Sequence, residues 1–215
     1  MKVASKVVSK VVGIAGGSGS GKTTLAEGVA AAMPQGQVVV IPHDAYYRDL
    51  SHLPFADRIG CNFDEPSALD NERLVADLGA LRAGRTIVRP NYDFATHTRL
   101  AETTPVASSR VVILEGILVL AIPALRAMLD LMVFVEASES TRQARRIERD
   151  VAERGRTREG AQAQYSHVTR PMHNLHVEPS RRHANLVVSG ESGSVQVVES
   201  VTIAIHGLLK PGIRA

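Results

Sequence analysis

The chain carries the stretch Gly16-Gly17-Ser18-Gly19-Ser20-Gly21-Lys22-Thr23, which fits the pattern G-x-x-x-x-G-K-[S/T]. Its glycines allow backbone N–H groups to curl around a phosphate, and the start of a following helix adds a favourable dipole. Lys22 can reach the β- and γ-phosphates of a nucleoside triphosphate, and the Thr23 hydroxyl can ligate Mg²⁺. A flexible Gly/Ser linker would lack the β-branched run before the stretch and the helical pattern after it. The stretch, extended to Thr24, therefore predicts a phosphate-binding loop.

Outward from this loop, short apolar runs alternate with longer helical patterns. The runs are continuous and β-branched, which is typical of buried strands: Val7–Ile14, Val38–Ile41, Val111–Leu114, Leu131–Val135 and Leu186–Val188. The helical patterns cover Lys22–Met33, Asn71–Arg82, Ser140–Glu153, Arg158–His176 and Val197–Leu209. This alternation predicts an α/β fold of the P-loop NTPase-like kind, a doubly wound parallel sheet flanked by helices, with a small lid.

Local signals refine this outline. Asp70 is predicted to cap the start of the helix Asn71–Arg82, and Gly84 to end it. The stretch Ala45–Ser67 contains no predicted strand and is longer than ordinary connections, which indicates a functional loop or lid.

Composition limits the class of protein. The 215 residues fit one α/β domain, and 44% hydrophobic residues suffice for a packed core. A formal net charge of +3 is only mildly basic, so anionic small molecules are sufficient partners and no nucleic acid is expected. Because Cys61 is the single cysteine, no intramolecular disulfide can form. The apolar stretch Val11–Ala15 is too short for a signal segment or membrane span. We expect a cytoplasmic protein without a membrane segment.

Two acidic residues follow predicted strands. Asp44 comes shortly after Val38–Ile41, and Glu115 directly follows Val111–Leu114. In a parallel sheet both strand ends face the same crevice as the phosphate loop. One carboxylate there can order Mg²⁺, and the other can accept a proton from an attacking hydroxyl. Each acid alone could equally be a helix cap or a surface turn; together they indicate a phosphoryl-transfer site.

The helix predicted over residues 140–153 carries arginines on one face, spaced i, i+3, i+4 and i+7: Arg142, Arg145, Arg146 and Arg149. The opposite face is predicted to be buried through Ala144, Ile147 and Val151. Arginine donors stabilise the charge that develops during phosphoryl transfer. A solvated basic face is the alternative for any charge stripe. Seven arginines within residues 142–158 favour a lid over a triphosphate.

Seven segments resemble, in order, the uridine kinase (uridine–cytidine kinase) family. They are GIAGGSGSGKTT (13–24), HDAYYRDLSHL (43–53), NFDEPSALD (62–70), PNYDFATHTR (90–99), ILEGIL (113–118), RRIERDVAERGR (145–156) and QYSHVTRPM (164–172). The resemblance extends from about Val11 to about Gly190. The first segment is generic, whereas the NFDEPSA, YDFxxHTR and RRxxRDxxERGR blocks are much more specific.

The resemblance implies roles on the phosphate side. Asp44 matches the catalytic base for the ribose 5′-hydroxyl, and Thr23 and Glu115 match residues that, with Asp44, organise Mg²⁺. Lys22 and Arg149 are expected to act in catalysis. Arg154 matches a lid arginine that binds ATP near its phosphates.

On the acceptor side the resemblance implies contacts to ribose hydroxyls and to a pyrimidine. The residues are Asp64 and Arg146 for the ribose, and Tyr92, His97, Arg156 and Gln164 for the base. Tyr92 and Phe94 also offer flat faces for a base, and His97 can donate to a base edge. Alone, Tyr92-Asp93-Phe94 is more often core or strand-end packing than a binding site, so the pyrimidine prediction rests on the resemblance.

The implied function is 5′-phosphorylation of uridine, and of cytidine, by ATP with Mg²⁺ in pyrimidine salvage. The implied organisation is one domain over residues 1–215, with lid and nucleoside-binding insertions near 45–66, 86–100 and 150–170. The resemblance further implies a homotetramer inhibited by CTP or UTP. Two alternatives stay open: a kinase of another small alcohol, such as pantothenate or ribulose phosphate, and a non-catalytic nucleotide-binding regulator.

Some residues depart from the family pattern or stand outside it. Asn185 replaces an expected aspartate, and Gly190–Ser194 lacks the usual turn near the adenine end of ATP, so ATP versus GTP as donor stays open. His173 and His176 lie three apart on a predicted helix without a cysteine or acid cluster. They are therefore expected to be packed or solvated rather than metal ligands.

Overall fold

The computed structural model describes residues 8–192 and 194–210. Strands in this part of the chain are β1 (Lys10–Gly16), β2 (Val38–Pro42), β3 (Ile87–Asp93), β4 (Thr98–Val106), β5 (Val111–Glu115), β6 (Leu131–Glu136) and β7 (Leu186–Ser189). Helices are α1 (Lys22–Ala32), α2 (Phe55–Ile59), α3 (Asn71–Arg82), α4 (Pro123–Arg126), α5 (Glu139–Glu153), α6 (Arg158–Gln164), α7 (Arg170–Met172), α8 (Glu178–Ser180) and α9 (Ser194–Leu209). None of the helices in the described ranges is long and apolar enough to cross a membrane.

The centre of the fold is a parallel sheet with the strand order β2-β5-β1-β6-β7. Residues Val11–Ala15 of β1 are buried because this strand lies between β5 and β6 and is covered on both faces. One face carries α3 and the short helix α4, and the other carries α1 and α9. The predicted doubly wound α/β architecture is confirmed.

Strand register brings the predicted acidic residues to the phosphate loop. Ile14 of β1 pairs with Glu115 of β5, and Pro42 of β2 pairs with the same residue. The carboxyl ends of three neighbouring strands therefore meet where the chain leaves β1 for the loop. Asp44 follows β2 by two residues in a 3₁₀ turn, His43–Tyr46.

The five strands of the main sheet were all predicted, with four starts exact and the other ends within three residues. Val7, the predicted start of the first strand, lies outside the described residues. Sequence analysis did not predict the antiparallel hairpin formed by β3 and β4. The stretch 45–67 contains no strand, as predicted. Its Tyr47 forms an isolated antiparallel bridge with Leu69, which follows the stretch.

The predicted orientation of α5 is wrong. Ala144 and Val151 are exposed, whereas Arg142, Arg146 and Asp150 are buried. Ile147 alone of the predicted apolar face is buried. The helix turns its charged side inwards because its neighbour on that side is the phosphate loop.

The predicted helix over 158–176 is longer and less regular than expected. Helix α6 continues into a π-helical turn, Tyr165–Thr169, which is followed by α7. A second π-helical turn, His173–Val177, then leads into α8. A 3₁₀ turn, Arg181–His183, ends this run. Each π-turn shifts later side chains by roughly 100° around the axis relative to a straight α-helix, since it inserts one residue. Periodicity in the sequence therefore does not predict which side chains face the sheet.

Asp70 caps α3 as predicted. Its side chain accepts the Arg73 backbone N–H, at 3.3 Å, and also the Arg99 guanidinium of β4, at 3.1 Å. Helix α3 ends at Arg82, and Gly84 follows with φ +78°, again as predicted. One carboxylate thus fixes both the start of α3 and the position of the hairpin.

Asp70→Ala is expected to lower the free energy of unfolding by about 0.5–2 kcal/mol because the cap is lost. Asp70→Asn is the matched control, since asparagine caps a helix about as well but loses the ion pair with Arg99. Urea unfolding followed by far-ultraviolet circular dichroism measures both. Equal stability of Asp70→Ala and the wild type would contradict the capping role.

Candidate active site

The phosphate loop connects β1 to α1 and packs directly on α5. Gly19 has φ +79°, a backbone conformation that favours glycine, and an added Cβ there would collide with the Arg142 carbonyl. At Gly16, with φ +148°, an added Cβ would collide with the Val135 carbonyl of β6. Lys22 is buried, and its ammonium donates to the Gly17 carbonyl at 3.2 Å. The loop therefore has room for backbone alone on the sides facing β6 and α5.

Two carboxylates face Lys22 across the crevice. Burial lowers the pKa of Lys22, while the nearby Glu115 and Asp44 carboxylates act in the opposite direction. Burial raises the pKa of Glu115, and the Asp44 charge raises it further. The Lys22 ammonium and the hydrogen bond with the Thr23 hydroxyl act in the opposite direction. The carboxylates of Asp44 and Glu115 and the Thr23 hydroxyl thus line one cavity with the Lys22 ammonium. Their oxygen atoms are ligands of the kind that a hard cation prefers.

The arginines of the predicted lid converge on one buried carboxylate, Asp150, which is 1% exposed. Arg146 and Arg156 contact its Oδ2 at 2.9 and 3.2 Å. Arg154 and Arg149 lie 3.4 and 3.8 Å from its Oδ1. Burial raises the pKa of this carboxyl, but the surrounding arginines together, Arg146 first, lower it below its usual range, so Asp150 is charged at neutral pH. Asp150 therefore holds four cations in place that would otherwise repel each other.

Two of these arginines also bind the phosphate loop. The Ser18 hydroxyl accepts a hydrogen bond from Arg146 at 2.8 Å and another from Arg149 at 3.1 Å. Ser18 is buried. The cations are consequently fixed over the loop before any anion binds, which lowers the cost of organising them around one.

The side of the cavity that sequence analysis assigns to the acceptor is built from the long loop after β2, the β3–β4 hairpin and α6. His97 has φ +55°, which is uncommon outside glycine, and its ring stacks on Phe63 at a centroid distance of 4.6 Å. Burial and the Arg156 and Arg154 charges lower the pKa of His97, so its imidazole is neutral at pH 7. The Tyr92 hydroxyl and Gln164 Oε1 are buried and have no hydrogen-bond partner in the described part of the chain.

One cavity unites both sides. Among the residues predicted from sequence, its lining includes Ser18, Lys22, Thr23, Asp44, Asp64, Tyr92, His97, Glu115, Arg146, Arg149, Arg154, Arg156 and Gln164. An adjoining cavity on the loop side is lined by Gly19, Gly21 and Thr24 together with Arg149 and Arg154. Gly16, Gly17 and Ser20 lie within the loop itself. The structure thus brings the predicted residues together.

A further cavity lies at the start of α1. Its lining includes Thr24, Arg145, Val198 and the turn 189–192. Arg145 donates to the Gly190 carbonyl at 3.0 Å, which ties α5 to that turn. Asn185, which departs from the family pattern, accepts the Met132 N–H at 2.9 Å and so joins β7 to β6. The departure at this residue is compatible with a structural role.

His173 is packed against the loop. It is buried, and its ring lies beside Gly17 and the Arg142 side chain. Burial, with the Arg142 and Lys22 charges, lowers the pKa of His173 to about 4, so the ring is neutral at pH 7. Within residues 8–192 and 194–210, no three His, Cys, Asp or Glu side chains are grouped closely enough to hold a metal ion.

Sequence analysis missed Asp150, Tyr47 and Phe63. Tyr47 lines the cavity and donates to the Phe63 carbonyl at 3.0 Å. All three residues stand inside segments that resemble the family, but in those segments only their neighbours were assigned roles. Asp150 is the one aspartate within residues 142–158, where Glu148 and Glu153 are the other acids among seven arginines. An acid in such a stretch was the available signal, because buried like charges need a counter-charge.

A parallel sheet with this strand order, a phosphate loop after its first strand and a cation-rich cavity at the strand ends define a P-loop kinase fold. The family model described as "Phosphoribulokinase / Uridine kinase family" matches residues 11–197. The chain belongs to this family.

Individual relatives agree with that assignment. A uridine kinase of Chloroflexus aurantiacus (strain J-10-fl) is 40% identical over 200 residues, which cover 93% of this chain and 96% of the relative. One from Bacillus velezensis is 44% identical over 200 residues, covering 93% and 95%.

Solved structures support the fold alone. A protein of Bacillus stearothermophilus described as a possible uridine kinase aligns with a TM-score of 0.54 at 22% identity, over 86% of this chain and 91% of the other. D-glycerate 3-kinase from Cryptococcus neoformans aligns with a TM-score of 0.58 at 17% identity, over 78% and 79%.

Asp150→Asn is expected to lower the free energy of unfolding at pH 7 by about 3–5 kcal/mol, because it removes the carboxylate shared by four arginines. The buried guanidinium of Arg146 then keeps the Asp64 charge alone. The folded-state pKa of Asp150 is depressed, so its contribution is complete above its unfolded pKa of about 3.9 and is lost as pH falls through the folded value. The gap between the variant and the wild type should therefore narrow in acid.

Glu148→Gln is the matched control, since it removes one negative charge from an exposed position of the same helix. Urea unfolding of the three proteins at neutral and acidic pH measures the difference. If Asp150→Asn were as stable at pH 7 as Glu148→Gln, the carboxylate would not be holding the arginines.

Proposed function

We propose that this protein transfers the γ-phosphoryl group of ATP to the 5′-hydroxyl of uridine, giving UMP, and that cytidine is a second acceptor. The observation that carries the proposal is the single cavity in which Lys22 and Thr23 face Asp64, Tyr92 and His97. Relatives named uridine kinase at 40–44% identity over nearly the whole chain support uridine as the acceptor.

Donor binding is proposed for the phosphate loop. The backbone N–H groups of Gly16–Thr24 face the triphosphate, and the Lys22 ammonium compensates the charge of its terminal phosphates. The cavity at Thr24, Arg145 and the turn 189–192 is proposed to take the purine base of the donor. The choice between ATP and GTP is assigned to this turn.

The donor set at the strand ends fits Mg²⁺. This ion prefers oxygen ligands and keeps several waters, so it needs few protein groups besides the substrate phosphates. Thr23, Glu115 and Asp44 would hold it, partly through water. When bound, it neutralises charge on the β- and γ-phosphates during transfer.

Asp44 is proposed as the catalytic base. Its carboxylate accepts the proton of the 5′-hydroxyl as that oxygen forms a bond to the γ-phosphorus and the bond to the β–γ bridging oxygen breaks. Arg149 and Arg154 donate to the equatorial oxygens on which charge develops. The arginine segment closes over the site and excludes water, a competing acceptor of the phosphoryl group.

Nucleoside recognition is proposed to rest on polar side chains that line the cavity. Asp64 and Arg146 are assigned to the ribose hydroxyls. The neutral ring of His97, the Gln164 amide oxygen and the Arg156 guanidinium are assigned to the pyrimidine edge. The face of the base is proposed to lie against Tyr92.

The wider organisation is proposed from the family resemblance. The segments near 45–66, 86–100 and 150–170 are lid and nucleoside-binding insertions of one domain over residues 1–215. The protein is proposed to be a cytoplasmic homotetramer inhibited by CTP or UTP. Size-exclusion chromatography with light scattering tests the assembly.

Asp44→Asn is expected to lower kcat by about 10²–10⁴-fold, because the variant cannot accept the proton. Binding of ATP, measured by calorimetry, should survive. Asp57→Asn, on the exposed helix α2, is the matched control. Near-normal kcat in Asp44→Asn would rule out the base assignment.

His97→Ala is expected to raise KM for uridine about tenfold while KM for ATP changes little, since a buried donor to the base is removed. Initial rates with each substrate varied in turn measure both constants. An unchanged uridine KM would exclude His97 from the pocket.

The proposal as a whole is tested by an acceptor panel with ATP and Mg²⁺, in which ADP release is followed by a coupled assay. Uridine and cytidine should be turned over, whereas thymidine, adenosine, pantothenate and ribulose 5-phosphate should not. Turnover of either of the last two in place of uridine would identify another small-alcohol kinase. ATP binding without any acceptor-dependent ADP release would identify a regulator.

A further inference from the structure

Asp64 is held in place from two directions. Its backbone N–H donates to the Asn62 side chain at 3.0 Å, which fixes the turn that carries it. Its side chain lines the cavity and is 5% exposed. A carboxylate buried to this degree needs partners, because water cannot compensate its charge.

The second support comes from the other half of the chain. The Thr169 hydroxyl donates to Asp64 Oδ2 at 2.8 Å, across 105 positions of sequence. Thr169 is itself 4% exposed. It ends the π-helical turn Tyr165–Thr169, whose preceding residue, Gln164, lines the same cavity.

This contact restricts what Asp64 can do. A hydroxyl that donates to a carboxylate makes a charge-assisted hydrogen bond, which fixes the side-chain torsions of both partners. Oδ2 keeps one further lone-pair direction, while Oδ1 has no hydrogen-bond donor among the described residues. Thr169, which is not among the residues lining the cavity, therefore determines which side of the Asp64 carboxylate faces the cavity.

We infer that Thr169 is a positioning residue that sets acceptor selectivity by orienting Asp64 towards the sugar diol. The inference rests on the proposed function, in which Asp64 binds the ribose hydroxyls. With the carboxylate fixed, a sugar that lacks one hydroxyl leaves an acceptor unpaired in a buried site. Without the contact, the carboxylate can rotate, and the loss of one sugar hydroxyl reduces binding by less.

The test is Thr169→Val, which keeps the shape of the side chain and removes the hydroxyl. The uridine KM should rise about tenfold, with the ATP KM within about twofold of the wild type. The ratio of kcat/KM for uridine over 2′-deoxyuridine and over 3′-deoxyuridine should fall. A merely structural role would change stability without changing these ratios.

Three further variants separate the explanations. Thr169→Ser retains the hydroxyl and should restore the uridine KM to within about threefold of the wild type. Ser166→Ala removes a hydroxyl from the same π-helical turn and should leave the ratios unchanged. In an Asp64→Asn background, Thr169→Val should add little, because the group on which it acts is already altered.

The outcomes are distinguishable. If the wild type turns over uridine and Thr169→Val has the same KM and the same ratios, the inference is overturned and the proposed function stands. Additive effects of Thr169→Val and Asp64→Asn would also overturn it, since Thr169 would then act by another route. If the wild type does not use uridine, the proposed function fails and the inference fails with it.

Discussion

The site depends on one buried ion cluster, the carboxylate of Asp150 surrounded by four guanidinium groups. An arginine-rich helix surface would ordinarily face water, because burying several like charges together is costly. The central carboxylate offsets much of that repulsion, and Ser18 of the phosphate loop accepts two of the remaining donors. Helix α5 can therefore pack its charged side against the phosphate loop. The four arginines that line the cavity all contact this carboxylate.

The central strands β5, β1 and β6 could be predicted from sequence because they are largely buried and so appear as continuous apolar, β-branched runs. The edge strands β2 and β7 are only partly buried but carry similar runs. Helix α3 was predicted to the residue because Asp70 and Gly84 mark its ends chemically. The β3–β4 hairpin was missed since Arg89, Pro90 and Asn91 interrupt its apolar pattern. The burial of α5 was predicted on the wrong side because periodicity arguments assume that apolar faces are buried, and here the helix faces a loop suited to anions.

The acceptor side was less accessible to sequence reasoning. Its members come from distant segments, and contacts such as Phe63 with His97, or Asp64 with Thr169, follow no local pattern. Family resemblance identified residues that line the cavity. It did not identify the residues that hold them, because a supporting side chain has no chemical signature of its own in sequence. The two π-helical turns after α6 made the acceptor side harder still to predict, since they change which positions face inwards.

The left-handed backbone of His97 limits how acceptor preference can evolve or be redesigned. A side chain at this position must tolerate φ +55° and also present a polar group to the cavity. Histidine, asparagine and aspartate adopt that conformation more readily than other residues with side chains, and β-branched residues adopt it rarely. Most substitutions in a saturation library at position 97 would thus carry a backbone cost of about 1–2 kcal/mol. Gln164, the other residue proposed to contact the base, has ordinary helical backbone, so a substitution there carries no such strain.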